Sequence, residues 1–317
     1  MFKLKNKLGL GLAALGRPGY INLGHNQNIG PDKSKQALYL QAEKVLSFAY
    51  QSGIQYFDVA RVYGASEEFL STWIRKQNQF NGFVGSKWGY EYLADWKIDT
   101  DVHERKDHSL SFLKKQWVET RLNLGKNIDL YQIHSVTSES NVLNDRDVLN
   151  ELHNIKNSGI QIGISTSGPD QEETIKKLLE INRVEKIFSF IQCTINILEQ
   201  SCQQTLIKAS ESGINIIAKE VFANGRLSAA NKNFHQKEIS NLVNIAIDLN
   251  LSLEELSLIW AYQQNYIKIV LTGAATVEQI QSNFDAIGKS DLTLPNLSDL
   301  SISKENYWQS RKSLKWN

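Results

Sequence analysis

Four side chains carry the chemistry available to this chain: the carboxylate of Asp58, the phenol of Tyr63, the ammonium of Lys87 and the imidazole of His134. Each ends a strand-like run or lies just beyond one. The runs are Gln55-Tyr56-Phe57-Asp58, Phe83-Val84-Gly85-Ser86-Lys87 and Leu130-Tyr131-Gln132-Ile133-His134. In a chain that alternates strand and helix, such ends emerge on one face, so four different groups converge over one cleft. Together they suit proton donation to an oxygen that gains negative charge as a carbonyl receives hydride. A phenol titrates near ~10 and is a reluctant donor alone. A nearby ammonium stabilises phenolate and lowers that value, while a carboxylate keeps the ammonium charged and in place. A neutral His134 would hydrogen-bond the substrate oxygen and orient it. The same phenolate is a base when an alcohol is oxidised, so the direction stays open. Taken singly, each residue has an ordinary alternative: a turn cap, loop packing, a solvated rim charge, a satisfied histidine. Their coincidence on three successive strands favours the catalytic reading.

The elements that must position them recur along the chain. After a Gly-rich opening run, strands are predicted at 55–58, 82–86, 129–133, 160–164, 187–192, 214–218 and 267–271. Helices are predicted at 35–52, 67–77, 109–124, 146–157, 170–180, 200–212, 237–249, 252–264 and 277–287. In the segment 109–124, Leu110, Leu113, Trp117, Thr120, Arg121 and Leu124 recur at spacings of three and four, and Gly125 stands at the C-terminal stop. Ser66, followed by Glu68 and Phe69, opens the second helix as an N-cap-type residue with early acidic charge. Gly53, Gly159 and Gly213 separate a helix from the next strand. Eight evenly spread strand signals without a polar linker argue for one (β/α)₈ TIM barrel spanning residues 1–317, rather than a doubly wound sheet with a second domain. The tail from about 296 carries Tyr307, Trp308 and Trp316 and has no barrel strand left to serve. It either caps the barrel or borders the substrate site.

Bulk properties narrow the function. A formal net charge of +1 over 317 residues gives no electrostatic case for nucleic acid or an anionic membrane. Hydrophobic residues make up 41%, enough for a substantial core, yet no stretch is long and apolar enough to span a bilayer. Lys3, Lys5 and Lys7 before Leu8-Gly9-Leu10-Gly11-Leu12 imitate a secretory signal, but Gly9, Gly11 and Gly16 spoil its helix and Arg17-Pro18-Gly19 offers no small-x-small cleavage pattern. Two cysteines, Cys193 and Cys202, point to a reducing, cytoplasmic setting with no disulfide framework.

The residues also carry a resemblance. Phe57-Asp58-Val59-Ala60-Arg61-Val62-Tyr63-Gly64-Ala65-Ser66-Glu67 is similar to the signature of the aldo-keto reductase family, Gly85-Ser86-Lys87 to its lysine strand, and Asp129-Leu130-Tyr131-Gln132-Ile133-His134 to its histidine strand. It continues through Gly163-Ile164-Ser165, Gln192, Ala223-Asn224-Gly225-Arg226-Leu227 and Gly273-Ala274-Ala275-Thr276-Val277-Glu278-Gln279. The resemblance implies a TIM barrel, a nicotinamide cofactor bound without a Rossmann domain, and hydride transfer to an aldehyde, ketone or sugar carbonyl. Its aspartate, tyrosine acid, lysine and histidine fall on Asp58, Tyr63, Lys87 and His134.

Through the same resemblance, Ser165, Thr166 and Gln192 take the carboxamide positions, with Thr166 standing where asparagine is usual. Lys219 replaces the stacking aromatic, and Glu220 a frequent serine. Lys219 then either reaches a cofactor phosphate or the substrate, or is a rim charge paired with Glu220. Gly225 belongs to the loop that follows. Gly273, Thr276, Gln279 and Asn283 take the adenosine-phosphate positions, where Gly273 and Gln279 lack the charge that best grips a 2′-phosphate. NADP(H) is thus the implied cofactor, with NAD(H) open beside it.

Other patterns are set aside. Gly9-Leu10-Gly11-Leu12-Ala13-Ala14 fits the dinucleotide fingerprint but lacks a following helix. His103, Asp107 and His108 lie among charged neighbours, and Asp107 or Ser109 serves as a helix cap, so no metal is expected. Loops 17–33, 88–106 and 219–235 should shape the pocket. In the second, Trp88, Tyr90, Tyr92 and Trp96 offer either an aromatic wall for a sugar or aromatic carbonyl, or anchors for the loop. The rival functions are a cofactor-binding regulatory protein with little turnover and a barrel lyase or isomerase without nicotinamide.

Overall fold

Runs such as Tyr56–Asp58 and Leu130–Val136 are almost wholly buried, as parallel strands covered on both faces must be. The computed structural model describes residues 5–232 and 237–317. In chain order its elements are β1 (Leu8–Gly11), α1 (His25–Ile29), α2 (Lys35–Gln51), β2 (Tyr56–Asp58), α3 (Ser66–Arg75), β3 (Phe83–Trp88), β4 (Tyr90–Tyr92), β5 (Glu104–Lys106), α4 (Leu110–Leu124), β6 (Leu130–Val136), α5 (Arg146–Asn157), β7 (Gln161–Thr166), α6 (Gln171–Glu185), β8 (Phe188–Thr194), α7 (Gln203–Glu211), β9 (Asn215–Lys219), α8 (Lys237–Asp248), α9 (Leu253–Gln263), β10 (Ile267–Thr272), α10 (Val277–Ile287) and α11 (Lys304–Lys312).

Eight strands close into a parallel barrel in the order β1-β10-β9-β8-β7-β6-β3-β2. The eight predicted strands and nine predicted helices are all present. Alternation along the strands divides the apolar residues into two layers. Leu8, Leu10, Phe57, Val84, Ile133, Ile164 and Ile191 face outward into the core shared with the helices. Tyr56, Leu130, Phe190, Ile217, Ile269 and Leu271 plug the barrel interior. Two residues further along β2, β6, β8 and β9 the inward face turns polar, with Asp58, Gln132, Gln192 and Lys219. The strand ends thus lift polar groups off an apolar floor.

The αβ loops match their glycines: Gly53, Gly159 and Gly213 have φ of 101°, 97° and 86°. Two local readings are corrected. Ser66 is the first residue of α3 rather than its N-cap, which is Ala65, and its hydroxyl donates to the Ala60 carbonyl. The segment 88–106 contains the hairpin β4–β5, which no strand prediction covered. The tail both packs against the barrel and reaches the cleft. Its helix α11 buries Tyr307 and Trp308, and its last residues reach the cleft.

Candidate active site

Register brings the four groups together. Asp58 pairs with Gly85 across β2 and β3, and Lys87 with Gln132 across β3 and β6. Lys87 is fully buried, and its ammonium donates to Asp58 Oδ2 and, at 3.1 Å, to the Val59 carbonyl. Gln192 Nε2 donates to Asp58 Oδ1 at 2.8 Å. The Lys87 ammonium also lies 4.8 Å from the centroid of the Tyr63 ring.

The phenol oxygen of Tyr63 is 3.3 Å from His134 Nε2, and the rings meet edge to face at 5.4 Å. A strand irregularity aims that imidazole. The β6–β7 register shifts between Ile133 and Val136, and Ser135 adopts φ 51°, held by its N–H donating to Ser165 Oγ at 2.8 Å. From behind, His108 Nε2 contacts the His134 carbonyl at 2.9 Å and the Tyr90 ring packs at 5.2 Å. Burial, and then the cations Lys87, Lys219 and Arg17, hold the His134 pKa well below its usual value, so the imidazole is neutral.

The expected acidification of the phenol is corrected. The Tyr63 pKa lies well above the usual tyrosine value, first because of burial and second because of the Asp58 carboxylate. The principal opposing cation is Arg17. Lys87 is already committed to Asp58, and burial lowers its own pKa. Tyr63 therefore carries its proton throughout the neutral range.

These groups floor a cleft with about 1010 Å³ of atom-free space, part of it open to solvent. Gln192, Lys219, Gly225 and Gly273 line it with Asp58, Tyr63 and His134. Lys219 lines the cleft, donates to Thr194 Oγ1 at 2.6 Å and pairs with Glu220 at 3.6 Å, as the rim-charge reading expects. Ser165 and Thr166 are buried behind the wall, and the Thr166 hydroxyl donates to Gln171 Oε1 at 3.1 Å. Thr276, Gln279 and Asn283 lie beyond the Gly273 end, around the start of α10. Thr276 caps that helix, Gln279 Oε1 accepts from the Ala275 N–H, and Asn283 donates to Thr272.

Several cleft residues carried no sequence signal of their own. Arg17 is buried and donates to the Val62 carbonyl and to Glu104, both at 3.2 Å. Its guanidinium lies over Tyr63 at 5.3 Å, Tyr20 at 5.1 Å and Trp316 at 4.6 Å. The tail is laced to this loop, since the main chains of Tyr20 and Asn317 exchange two hydrogen bonds of 3.1 Å. Of the segment 88–106, Glu104 lines the cleft, whereas Trp88, Tyr90, Tyr92 and Trp96 do not. Trp88 is fully buried, and Trp96 packs on Phe69 and donates to the Lys33 carbonyl, so these two are anchors. From the loop 219–235, residues 233–235 lie outside the described residues. Ser109, not Asp107, caps α4, and His103 stacks on Trp316 at 4.0 Å.

The wall from Lys219 to Gly273 fits a dinucleotide. It offers an ammonium, main chain bare of side chains at Gly225 and Gly273, and the buried Oδ1 of Asn224, which has no protein partner. The cleft ends near the capped start of α10, where main-chain N–H groups favour phosphate. A parallel barrel with this mouth defines a class, the NAD(P)-dependent oxidoreductases built without a separate nucleotide-binding domain. Residues 7–298 match the model of the Aldo/keto reductase family, and the chain belongs to that family. It is 25% identical over 316 residues to the uncharacterised oxidoreductase YqkF of Bacillus subtilis, covering 90% of this chain and 93% of that one. Its fold is similar to the holo form of an aldo-keto reductase from Bacillus halodurans, with a TM-score of 0.68 at 20% identity over 98% and 92% of the two chains. It also resembles a glycerol dehydrogenase from Gluconobacter oxydans, with a TM-score of 0.66 at 16% identity over 97% and 90%. Among the described residues no helix is long and apolar enough to cross a membrane, and no cluster of three or more His, Cys, Asp or Glu side chains could hold a metal.

Proposed function

We propose that this protein reduces an aldehyde, ketone or sugar carbonyl, or oxidises the matching alcohol, with Tyr63 as the general acid/base. The observation that carries this reading is the 3.3 Å contact between the Tyr63 hydroxyl and a neutral His134 Nε2 at the floor of the cleft. A carbonyl oxygen set above the pair, at the apex of a triangle with both atoms, would accept hydrogen bonds from each. His134 would orient that oxygen, and Tyr63 would hand its proton over as negative charge develops there. Lys87 and Asp58 hold the floor beneath the phenol as a buried, neutralised pair.

A bound nicotinamide dinucleotide supplies or accepts the hydride. Gln192, Lys219, Gly225 and Gly273 are proposed to line its site, with Ser165 and Thr166 supporting the wall and Thr276, Gln279 and Asn283 shaping the phosphate end. NADPH is the proposed cofactor, with NADH accepted, because the stretch 273–283 contains no Lys or Arg to grip a 2′-phosphate. Two buried, free cysteines support a reducing, cytoplasmic setting.

The test is to mix the purified protein with NADPH or NADH and a panel of aldehydes, ketones and sugars, following cofactor oxidation. Tyr63→Phe should retain cofactor binding and lose about 10²- to 10⁴-fold in turnover. Cofactor binding without turnover of any carbonyl, or full activity of Tyr63→Phe, would sink the proposal.

A further inference from the structure

Below the cleft, the barrel interior holds a phenol with no role so far. Tyr56 precedes Asp58 by two residues on β2, so both side chains leave the strand on its inward face. The Tyr56 ring is fully buried among Leu130, Phe190, Ile217 and Ile269 and stacks on Phe83 at 5.9 Å. Two neighbouring strands yield their side-chain space to it. Gly9 on β1 pairs with Tyr56, and Gly85 on β3 pairs with Asp58. A Cβ at Gly9 would lie 2.9 Å from the ring, and one at Gly85 only 2.5 Å from the hydroxyl. With glycine at both places, the Tyr56 hydroxyl donates to Asp58 Oδ1 at 3.2 Å.

Asp58 is 2% exposed, and a carboxylate so buried must be met by donors. The donors divide between its oxygens. Tyr56 and Gln192 occupy Oδ1, leaving Oδ2 to Lys87. We propose that Tyr56 is a positioning residue for the reaction: its hydroxyl fixes the carboxylate that holds Lys87 and disperses the negative charge that Asp58 presents to Tyr63. Burial and the Asp58 charge push the Tyr56 phenol far above its usual pKa, so it remains a donor at every working pH. Asp58 is also the second cause, after burial, of the raised Tyr63 pKa, which links the two phenols through one carboxylate.

The inference rests on the reading of Tyr63 as acid/base, and the experiment separates the two. Alcohol oxidation and carbonyl reduction are measured against pH for wild type, Tyr56→Phe, Gly85→Ala and Tyr63→Phe. Tyr63 is faced by Asp58 and Lys87 from β2 and β3, His134 from β6, Arg17 from the loop after β1, Glu104 from β5 and Glu220 from the loop after β9. None of these is altered in Tyr56→Phe or Gly85→Ala. Without the hydroxyl, the less shielded Asp58 should move the alkaline limb of oxidation upward by about half a unit and reduce kcat about tenfold. The KM for cofactor should stay within about twofold. Gly85→Ala, by displacing the hydroxyl, should shift the limb the same way, and should add no shift when combined with Tyr56→Phe. An unchanged limb and kcat in Tyr56→Phe, or a Tyr56→Phe protein that fails to fold, overturns the positioning role. Full activity in Tyr63→Phe ends the Tyr63 reading instead, whatever Tyr56 does.

Discussion

The Lys87 ammonium lies 4.8 Å from the centroid of the Tyr63 ring while its hydrogen bonds go to Asp58 and the Val59 carbonyl. Removing one member of a buried pair strands the other charge, at a cost of about 3–5 kcal/mol. Lys87→Met should therefore lower both stability and turnover. The double variant Lys87→Met with Asp58→Asn has no stranded charge and should regain most of the stability in urea denaturation while staying inactive. A double variant as unstable as Lys87→Met would show that the pair is not what holds this floor together.

Arg17 and Asp58 act on Tyr63 with opposite sign. The Tyr63 pKa lies well above its usual value, so with Tyr63 as the proposed acid, carbonyl reduction should be level from about pH 6.5 to 9. Alcohol oxidation needs the phenolate and should climb through the alkaline range. Arg17 lowers the phenol pKa, so Arg17→Met should push the oxidation limb to higher pH. Because His134 is neutral well below its usual pKa, no acid limb from it should appear above about pH 6. Steady-state rates in both directions decide this, and an oxidation limb moving down in Arg17→Met would contradict it.

Much of this arrangement is legible in the sequence because parallel barrel strands are short, buried and end in a polar residue. Asp58, Lys87, His134 and Gln192 all stand at the end of a strand or within two residues of it; Asp58, His134 and Gln192 line one cleft, and Lys87 pairs with Asp58 from beneath it. What the sequence conceals depends on long-range pairing. Arg17 finds Glu104 across 87 positions, and that contact has no local periodicity. The hairpin β4–β5 is half-exposed and three residues per strand, too short to show alternation. Aromatic type alone did not reveal that Trp88 and Trp96 point into packing while Tyr20 and Trp316 line the cleft. The phenol's electrostatics were misjudged for the same reason. Residue types place the lysine beside its carboxylate, but the burial that dominates the Tyr63 pKa belongs to the folded chain and leaves no mark on the sequence.

The proposed phosphate end carries no charge, which has a kinetic consequence. Gly273 and Gln279 give a 2′-phosphate no charged partner, so kcat/KM for NADPH and NADH should differ by less than about tenfold, or ~1.4 kcal/mol. Gln279→Arg should raise the NADPH-to-NADH ratio by about tenfold, because a guanidinium supplies charge-assisted bonds. The Ala275 N–H loses its Gln279 acceptor in that variant, so stability should be checked alongside. A wild-type preference above about a hundredfold would mean that another residue reads the phosphate.

The tail is fastened to the cleft by charge. Arg311 grips Glu220 with contacts of 3.0, 2.8 and 2.5 Å, and Glu220 also pairs with Lys219. Burial alone would raise the Glu220 pKa, but Arg311 and then Lys219 outweigh it and bring it down to about 2. A folded-state value below the unfolded one stabilises the protein above the unfolded pKa, near ~4.3 for glutamate, and that contribution fades as pH falls toward about 2. At ~1.4 kcal/mol per unit the contribution is on the order of 3 kcal/mol at neutral pH. Arg311→Met should thus destabilise the fold most at neutral pH, by about 3 kcal/mol or more, and the gap to wild type should narrow in acid as Glu220 takes a proton. Thermal denaturation from pH 7 down to 3 gives the answer. A gap that stays constant over that range would mean that α11 is held by the packing of Tyr307 and Trp308 rather than by this ion pair.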